Sequence, residues 1–246
     1  MLNKPIERFD GVSRWPPWTY YHSVTRYQWA IKTLARDPGV VNILDAACGS
    51  GYGSELLGEG VAGCSVTALD VDENAVRLLA HRRPDIRALV GDVTQLPLGD
   101  ASVDAYLCFE TIEHVLDSNK VVSEARRVIR PGGYFIVSSP NRRLSSPGPR
   151  KLPPVNPFHV DEFELDEFII MLESHFSSVL VLGQSPETDT YVSLLNAIAS
   201  RDRRIAVRIR QLSRLVRAPW QKHRYHMPRD ITPDRAPAVF FAVCRP

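Results

Sequence analysis

Residues 40–53 read V-V-N-I-L-D-A-A-C-G-S-G-Y-G and join an apolar run, one aspartate and three glycines. The apolar run contains β-branched residues, which predicts a strand buried on both faces of a parallel sheet. Asp45 ends that run. Gly49, Gly51 and Gly53 then allow the backbone to turn sharply where a Cβ would block a ligand. A helix is predicted next, and a strand, a glycine turn and a helix in this order present main-chain N–H groups at the carboxyl end of a sheet.

Two later strands are each predicted to end in an aspartate at the same edge of the sheet. The first covers residues 65–71 and places Asp70 19 residues beyond Gly51. That distance is close to the roughly 20 residues that separate a glycine turn from a ribose-binding carboxylate. The next strand covers residues 88–93 and brings Asp92 to the same edge. Asp92 can instead cap the helical turn that follows, and the sequence leaves both alternatives open.

The rest of the chain alternates between strand and helix patterns, which is typical of an α/β domain. The other predicted strands cover residues 103–109, 134–139, 178–182 and 238–244. The other predicted helices cover residues 22–36, 73–83, 117–130 and 165–174, and Pro131-Gly132-Gly133 is expected to end the third of these. A length of 246 residues is enough for one such domain with an insertion.

The stretch D-A-A-C-G-S-G-Y-G at residues 45–53 resembles motif I of the class I (Rossmann-like) S-adenosylmethionine-dependent methyltransferases. Further resemblances, over roughly residues 20–184 and the last strand, include G-D-V-T-Q-L-P-L-G-D from Gly91 and P-G-G before a strand. The family implies an α/β, doubly wound, mostly parallel seven-stranded sheet in the order 3-2-1-4-5-7-6, with strand 7 antiparallel and helices on both faces. It also implies a single domain over residues 1–246. The alternative is a structural glycine turn in another α/β protein.

In this family the glycine loop wraps the methionine part of S-adenosylmethionine, which is therefore the expected cofactor. The family's roles assign Asp70 to the ribose hydroxyls, Asp92 to the adenine amine and Val93 to the adenine ring. The lead R-F-D-G … H-S-V-T-R-Y resembles that of some bacterial methyltransferases, in which Arg26 would hold the cofactor's carboxylate; Arg26 can equally pack on its own helix. The expected cofactor-binding residues are Arg26, Asp45, Ala46, Gly49, Gly51, Asp70, Val71, Asp92, Val93, Phe109 and Glu110.

Candidate catalytic residues follow the fourth strand and precede the helix at 165–174. If the chain turns helical from Glu110, then Glu110, Glu113 and His114 lie on one face at i, i+3 and i+4. His159 stands just before D-E-F. A histidine titrates near neutral pH and can take the proton of an acceptor hydroxyl during methyl transfer. We therefore take His114, His159 and Glu113 as candidate catalytic residues, although a single histidine can also serve only in packing.

The pattern E-x-x-E-H, then P-N, then a histidine before D-E-F also resembles two kinds of O-methyltransferase. They are the small-RNA terminal 2′-O-methyltransferases and the ubiquinone-biosynthesis O-methyltransferases. In the former, two glutamates and two histidines hold a divalent ion, and the matching residues here are Glu110, Glu113, His114 and His159. Two carboxylates and two imidazoles suit Mg²⁺, Mn²⁺ or Zn²⁺. Many relatives keep E-H-V after this strand without a metal, so both alternatives stay open.

Composition and charge restrict the class of protein. The net charge is +2, and the four cysteines form no C-x-x-C pair, which disfavours a zinc ribbon or a redox dithiol. The N-terminus lacks the apolar core of a signal peptide, and no apolar run approaches the ~20 residues of a membrane span. A soluble cytoplasmic protein is therefore expected. Residues 1–38 are expected to form a lid segment and a helix.

Residues 186–237 are expected to form a basic helical insertion between strands 6 and 7. Residues 201–229 carry ten lysines or arginines and one acid. This segment can contact an acidic substrate, the surface of a membrane or nucleic acid, or it can be a lid helix with its apolar face on the domain. The near-neutral net charge and the lack of a separate RNA-binding module disfavour nucleic acid.

Three functions are compatible with these observations. The first is methyl transfer to a hydroxyl of a glycan, a sugar-containing lipid or a secondary metabolite, because the pattern looks most like enzymes of bacterial glycan and natural-product pathways. The second is an RNA ribose 2′-O-methyltransferase that uses a divalent metal. The third is a non-catalytic protein that keeps the cofactor-binding fold, and the intact acidic residues at three strand ends argue against it.

Overall fold

The computed structural model describes residues 17–184, 229–231 and 237–246. The described residues form one sheet of eight strands with helices on both faces. The strands are β1 (Asn42–Ala46), β2 (Ser65–Asp70), β3 (Arg87–Val90), β4 (Val103–Phe109), β5 (Ile129–Pro140), β6 (Ser178–Gln184), β7 (Arg229–Asp230) and β8 (Val239–Arg245). The helices are α1 (Pro17–Leu34), α2 (Tyr52–Gly60), α3 (Glu73–Arg82), α4 (Ser118–Val128), α5 (Arg142–Ser145) and α6 (Leu165–Glu173), with a 3₁₀ turn at Ile112–His114.

The strand order is β3-β2-β1-β4-β5-β8-β6-β7. Strands β1 to β5 are parallel, and β8 runs antiparallel between β5 and β6. This confirms the predicted seven-stranded order; the two-residue strand β7 is an addition beside β6. Because the central strands are parallel, their carboxyl ends meet at one edge, and residues placed just after β1, β2 and β4 become neighbours there.

The sheet is covered on both faces, which explains why its central strands are almost continuously apolar. Ile43 and Leu44 in β1 point to opposite faces and belong to two separate buried clusters. One cluster includes Phe168 of α6 and packs with α4, and the other includes Leu34 of α1 and packs with α2 and α3. All residues of β4 except the last are buried. Side chains that could bind a ligand are therefore expected along the strand ends, where the sheet is not covered.

Two predicted elements begin five residues earlier in the structure. The first helix begins at Pro17 rather than at residue 22. The fifth strand begins at Ile129, before Pro131-Gly132-Gly133, because Val103 of β4 already pairs with Ile129 ahead of a shift in register. The predicted lid residues 1–16 and most of the basic insertion, residues 185–228 and 232–236, lie outside the described residues. Within the described part of the chain, every helix is too short or too polar to cross a membrane.

Candidate active site

The glycine turn between β1 and α2 has a left-handed backbone. The φ angles of Ala47, Gly49 and Gly51 are 54°, 54° and 81°. A Cβ on Gly51 would lie 2.5 Å from Cδ1 of Leu79, so the turn is both tightly wound and packed against α3. Positive φ angles favour glycine, as the sequence predicted for this turn.

Asp70, at the tip of β2, holds this turn in place. Its Oδ2 accepts a hydrogen bond from the amide of Gly49 at 2.8 Å, and its Oδ1 accepts one from the amide of Asp72 at 2.9 Å. Each carboxylate oxygen has two lone pairs, and each backbone donor uses one of them. The predicted contact between Asp70 and a ribose would use the second lone pair. Asp70 thus lies directly beside the glycine turn, as the βαβ spacing predicts.

Replacing Asp70 with asparagine is expected to weaken the affinity for S-adenosylhomocysteine by about tenfold to a hundredfold. The amide has a single oxygen, so one of the two backbone donors loses its charged acceptor and the glycine turn is held less firmly in the shape expected for binding. Hydrogen bonds to a charged group are worth about 1.5–3 kcal/mol. Asp72→Asn is the matched control, because Asp72 caps α3 through the amide of Asn74 and asparagine is an equally good N-cap. Titration calorimetry measures both variants. Equal affinities in wild type and Asp70→Asn would contradict the assignment.

Asp45, at the end of β1, is completely buried. Its Oδ1 accepts from the hydroxyl of Tyr27 at 2.8 Å and its Oδ2 from the hydroxyl of Ser54 at 2.6 Å. Burial raises the pKa of Asp45 to about 6, although both hydrogen bonds act in the opposite direction. Asp45 therefore ties α1 and α2 to the first strand, a structural role that the sequence did not reveal.

Most of the other expected cofactor residues lie at the same edge of the sheet, in different degrees of exposure. Val71 is 58% exposed beyond the tip of β2, whereas Ala46 and Val93 are buried. Asp92 is exposed, and its Oδ1 accepts from both the amide and the hydroxyl of Thr94. That contact closes a hydrogen-bonded turn over residues 92–95, and no helix follows for Asp92 to cap.

Arg26 lies deep in the site, 3% exposed, on α1. Its Nη1 donates to Oε1 of Gln184 at 2.9 Å and lies 3.9 Å from a carboxylate oxygen of Glu110. Phe109, at the end of β4, packs edge-on against the ring of Tyr27. The guanidinium therefore sits beside the end of β4, which is compatible with the predicted contact to a cofactor carboxylate.

The chain does not turn helical from Glu110, which was the condition for placing Glu110, Glu113 and His114 on one face. Glu110 has a φ of 50°, and the 3₁₀ turn starts only at Ile112. The left-handed residue breaks the helical period, so Glu110 does not share one face with Glu113 and His114. Its Oε1 accepts instead from the hydroxyl of Ser138 at 2.8 Å.

Glu113, His114 and His159 do come together, as the sequence predicted for the acceptor side. One ligand atom from each lies within 4.8 Å of the others, and Glu110 is not in this group. The two imidazole rings meet edge to face with centroids 4.8 Å apart. The amides of Val160 and Asp161 donate to the main-chain oxygen of Glu113, which brings the His159 segment onto the 3₁₀ turn.

Glu113 is an unusual carboxyl group because it is 1% exposed. Its Oε2 accepts from the hydroxyl of Ser139 at 3.4 Å, and Nε2 of His114 lies 4.0 Å from its Oε1. Oε1 has no hydrogen-bond partner among the described residues. Burial and the neighbouring charge of Glu110 hold the pKa of Glu113 well above its ordinary value.

The donor set fits a divalent ion in its chemistry. Oε1 of Glu113 is a buried oxygen that lacks a partner among the described residues, and two imidazoles stand next to it. Ligand atoms on a tetrahedral ion with bonds near 2.1 Å are separated by about 3.4 Å, so these three groups would have to move closer together. Glu110, the fourth ligand that the resemblance implied, is not part of this cluster. The residues that would hold an ion are therefore Glu113, His114 and His159.

Glu162 is a buried residue at this site that the sequence analysis missed. Its Oε1 contacts Nδ1 of His159. The spacing H-x-x-E at residues 159–162 was the available signal, because it places a carboxylate within one turn of the histidine.

The fold and the glycine turn define a class I methyltransferase domain, and comparison with known proteins supports this. Residues 44–137 match the sequence profile of the family described as "Methyltransferase domain". This segment is accordingly a class I, Rossmann-like methyltransferase domain that implies S-adenosylmethionine as cofactor.

The relatives give the same class. The chain is 40% identical over 164 residues to a probable S-adenosylmethionine-dependent methyltransferase of Mycolicibacterium smegmatis, covering 67% of this chain and 60% of that protein. It is 28% identical over 149 residues to a phthiotriol/phenolphthiotriol dimycocerosates methyltransferase of Mycobacterium tuberculosis, covering 59% of this chain and 52% of that protein. The chain thus spans a little over half the length of these relatives.

A solved structure confirms the fold. The crystal structure of a methyltransferase from Thermotoga maritima, described as a possible histamine N-methyltransferase, aligns with a TM-score of 0.61. The alignment covers 93% of each chain at 18% identity. At this identity the likeness extends to the fold alone.

Proposed function

We propose that this protein transfers a methyl group from S-adenosylmethionine to a hydroxyl of a glycan, a sugar-containing lipid or a secondary metabolite. The observation that carries the proposal is the convergence of two imidazoles and a buried carboxyl group beside the end of β4. In-line methyl transfer to oxygen requires alignment of the two reactants and removal of one proton. The cluster supplies a base for that proton next to the expected cofactor site.

The hydrogen bond of His114 to the main chain selects one tautomer of its neutral imidazole. Nδ1 of His114 lies 3.1 Å from the main-chain oxygen of Phe158, which can only accept, so Nδ1 carries a proton. In the neutral ring, Nε2 of His114 is then the basic nitrogen, and it points toward Glu113. Glu113, which burial keeps protonated to a higher pH than an ordinary glutamate, can donate within the site.

The relatives are bacterial proteins, and the name of one of them supports a lipid as the methyl acceptor. The Mycobacterium tuberculosis relative is named for phthiotriol and phenolphthiotriol dimycocerosates, which suggests a lipid-linked acceptor for this chain as well. The ten basic residues within 201–229 would add a peripheral contact with anionic headgroups from the cytoplasmic side, and nucleic acid is the less favoured partner. That segment lies outside the described residues, so only its charge supports this part of the proposal.

A metal-assisted reaction is the second candidate, favoured by one observation. Oε1 of Glu113 is buried and has no partner among the described residues. An ion held by Glu113, His114 and His159 would lower the pKa of an acceptor hydroxyl, including a ribose hydroxyl of RNA. The neighbouring imidazoles would then be ligands instead of bases.

The test is transfer of tritium from methyl-labelled S-adenosylmethionine into a lipid and glycan extract of Mycolicibacterium smegmatis. We expect label in an acceptor that mass spectrometry identifies as a methyl ether. His159→Ala should reduce the rate by about a hundredfold, within the range that a general base contributes. His81→Ala, an exposed histidine on α3, is the matched control and should leave the rate unchanged.

Three outcomes separate the alternatives. Label on nitrogen or carbon would overturn the hydroxyl acceptor, and binding of S-adenosylhomocysteine without any label would favour a non-catalytic protein. Loss of activity after chelation, restored by Mn²⁺ or Zn²⁺ but not in Glu113→Gln, would establish the metal-assisted candidate.

A further inference from the structure

Glu162 is 0% exposed and lies between His159 and the short helix α5. Its Oε1 lies 2.5 Å from Nδ1 of His159, and its Oε2 accepts from the hydroxyl of Ser145. Each oxygen of this buried carboxyl group therefore has a hydrogen-bond partner that can donate to it, as a carboxylate requires.

A directed chain of hydrogen bonds determines where His159 carries its proton. The amide of Phe158 donates to Oδ1 of Asn156 at 3.1 Å, which fixes the orientation of that carboxamide. Nδ2 of Asn156 therefore faces Nε2 of His159 at 2.9 Å and donates to it. An Nε2 that accepts must be unprotonated, so the proton of the neutral ring is on Nδ1 and is donated to Glu162. Asn156 and Glu162 thus select the same tautomer.

We propose that Glu162 is the positioning residue of the reaction: it fixes His159 with its proton on Nδ1, so that the lone pair of Nε2 accepts the proton of the acceptor hydroxyl. Without an acceptor molecule, Nδ2 of Asn156 donates a hydrogen bond to that lone pair. When the acceptor binds, its hydroxyl takes the place of Asn156 as the donor. This inference rests on the proposed function and adds the residue that gives the base its direction.

The proton and electron balance is complete without another reactant. The hydroxyl oxygen forms a bond with the methyl carbon, and the bond between that carbon and sulfur breaks with its electrons passing to sulfur. The sulfonium becomes the neutral thioether of S-adenosylhomocysteine. The hydroxyl proton passes to Nε2 of His159, and the resulting imidazolium lies directly against the carboxylate of Glu162. Release of that proton to solvent restores the neutral ring.

The first test reads the tautomer directly and needs no acceptor. Protein labelled with ¹⁵N-histidine is examined at pH 8 by long-range ¹⁵N–¹H correlation, and His159→Ala identifies the signal of His159. We expect a protonated Nδ1 and an unprotonated Nε2. A proton on Nε2 would overturn the inference, whether or not the protein proves to be a methyltransferase.

The second test is a double-mutant cycle with the tritium assay. Glu162→Gln should lower kcat at least tenfold while leaving the KM for S-adenosylmethionine within about twofold, because the carboxamide has nearly the same shape but lacks the charge that stabilises an imidazolium. In the His159→Ala background the same change should have no further effect, since Glu162 acts through His159. An equal further loss in that background would show a structural role and overturn the inference.

Glu173→Gln is the matched control, because Glu173 is an exposed glutamate at the end of α6. It should behave as wild type in both tests. If no acceptor is methylated by any variant, the proposed function fails, and the tautomer measurement still decides whether Glu162 orients His159.

Discussion

Gly53→Ala is expected to destabilise the protein by about 3–5 kcal/mol. A Cβ at this position would lie 2.0 Å from Cζ of Tyr27 and 2.3 Å from its hydroxyl. Tyr27 is only 5% exposed, so its ring cannot move aside without repacking the site. Overpacking of a core costs about 1–3 kcal/mol, and losing the hydrogen bond from Tyr27 to the carboxylate of Asp45 adds about 1.5–3 kcal/mol.

Gly58→Ala is the matched control because it makes the same change in the same helix, α2. The nearest atoms to a Cβ at residue 58 are 3.9 Å away, so nothing has to move. Alanine favours a helix over glycine by up to about 1 kcal/mol, and this variant should therefore be neutral or slightly stabilised. Urea unfolding measures both. Equal changes in the free energy of unfolding would show that contact with Tyr27 does not matter.

The same comparison corrects the interpretation of the glycine motif. The sequence suggested that all three glycines clear space for a ligand. In the structure, a side chain on Gly53 would meet Tyr27 and one on Gly51 would meet Leu79, so both glycines also admit the protein's own side chains. A glycine spacing alone cannot distinguish these reasons, because each produces the same residue at the same position.

The topology could be predicted because buried parallel strands leave a continuous apolar pattern. Strand β4 was predicted with the bounds that the structure shows, and Asp70 was placed beside the glycine turn by spacing alone. These features depend on local periodicity and on the fixed geometry of a βαβ unit. Features of this kind can be predicted most directly from a sequence.

The details of the acceptor side could not be predicted, because they depend on contacts between distant segments. No residue type near Glu110 signals its left-handed backbone, which separates it from Glu113. The burial of Glu162 follows from packing against α5, 17 residues away in sequence at Ser145. Such contacts form only after the sheet has brought the two loops together.

Asp45→Asn is expected to become more stable relative to wild type as the pH rises from about 4 to 7.5, by up to about 3 kcal/mol. The pKa of Asp45 is about 6 in the folded protein, compared with its ordinary value of 3.8. Between these values the folded state keeps a proton that the unfolded state has released. The stabilising contribution of protonated Asp45 is therefore complete below 3.8 and is lost as the pH rises through 6, at about 1.4 kcal/mol per unit.

Asparagine does not titrate, so the difference in unfolding free energy between Asp45→Asn and wild type isolates this one group. Asp104→Asn should show the opposite slope. Although burial opposes it, the amides of Val41 and Asn42 and the guanidinium of Arg130 lower the pKa of Asp104, so its stabilising contribution is lost as the pH falls. Urea titrations of the three proteins between about pH 2.5 and 7.5 measure both slopes, because the slope of Asp104 lies below its ordinary pKa of 3.8 and that of Asp45 lies between 3.8 and about 6. A difference for Asp45→Asn that does not change with pH would mean that the carboxylate is already ionised at pH 4, in which case the hydrogen bonds from Tyr27 and Ser54 outweigh burial.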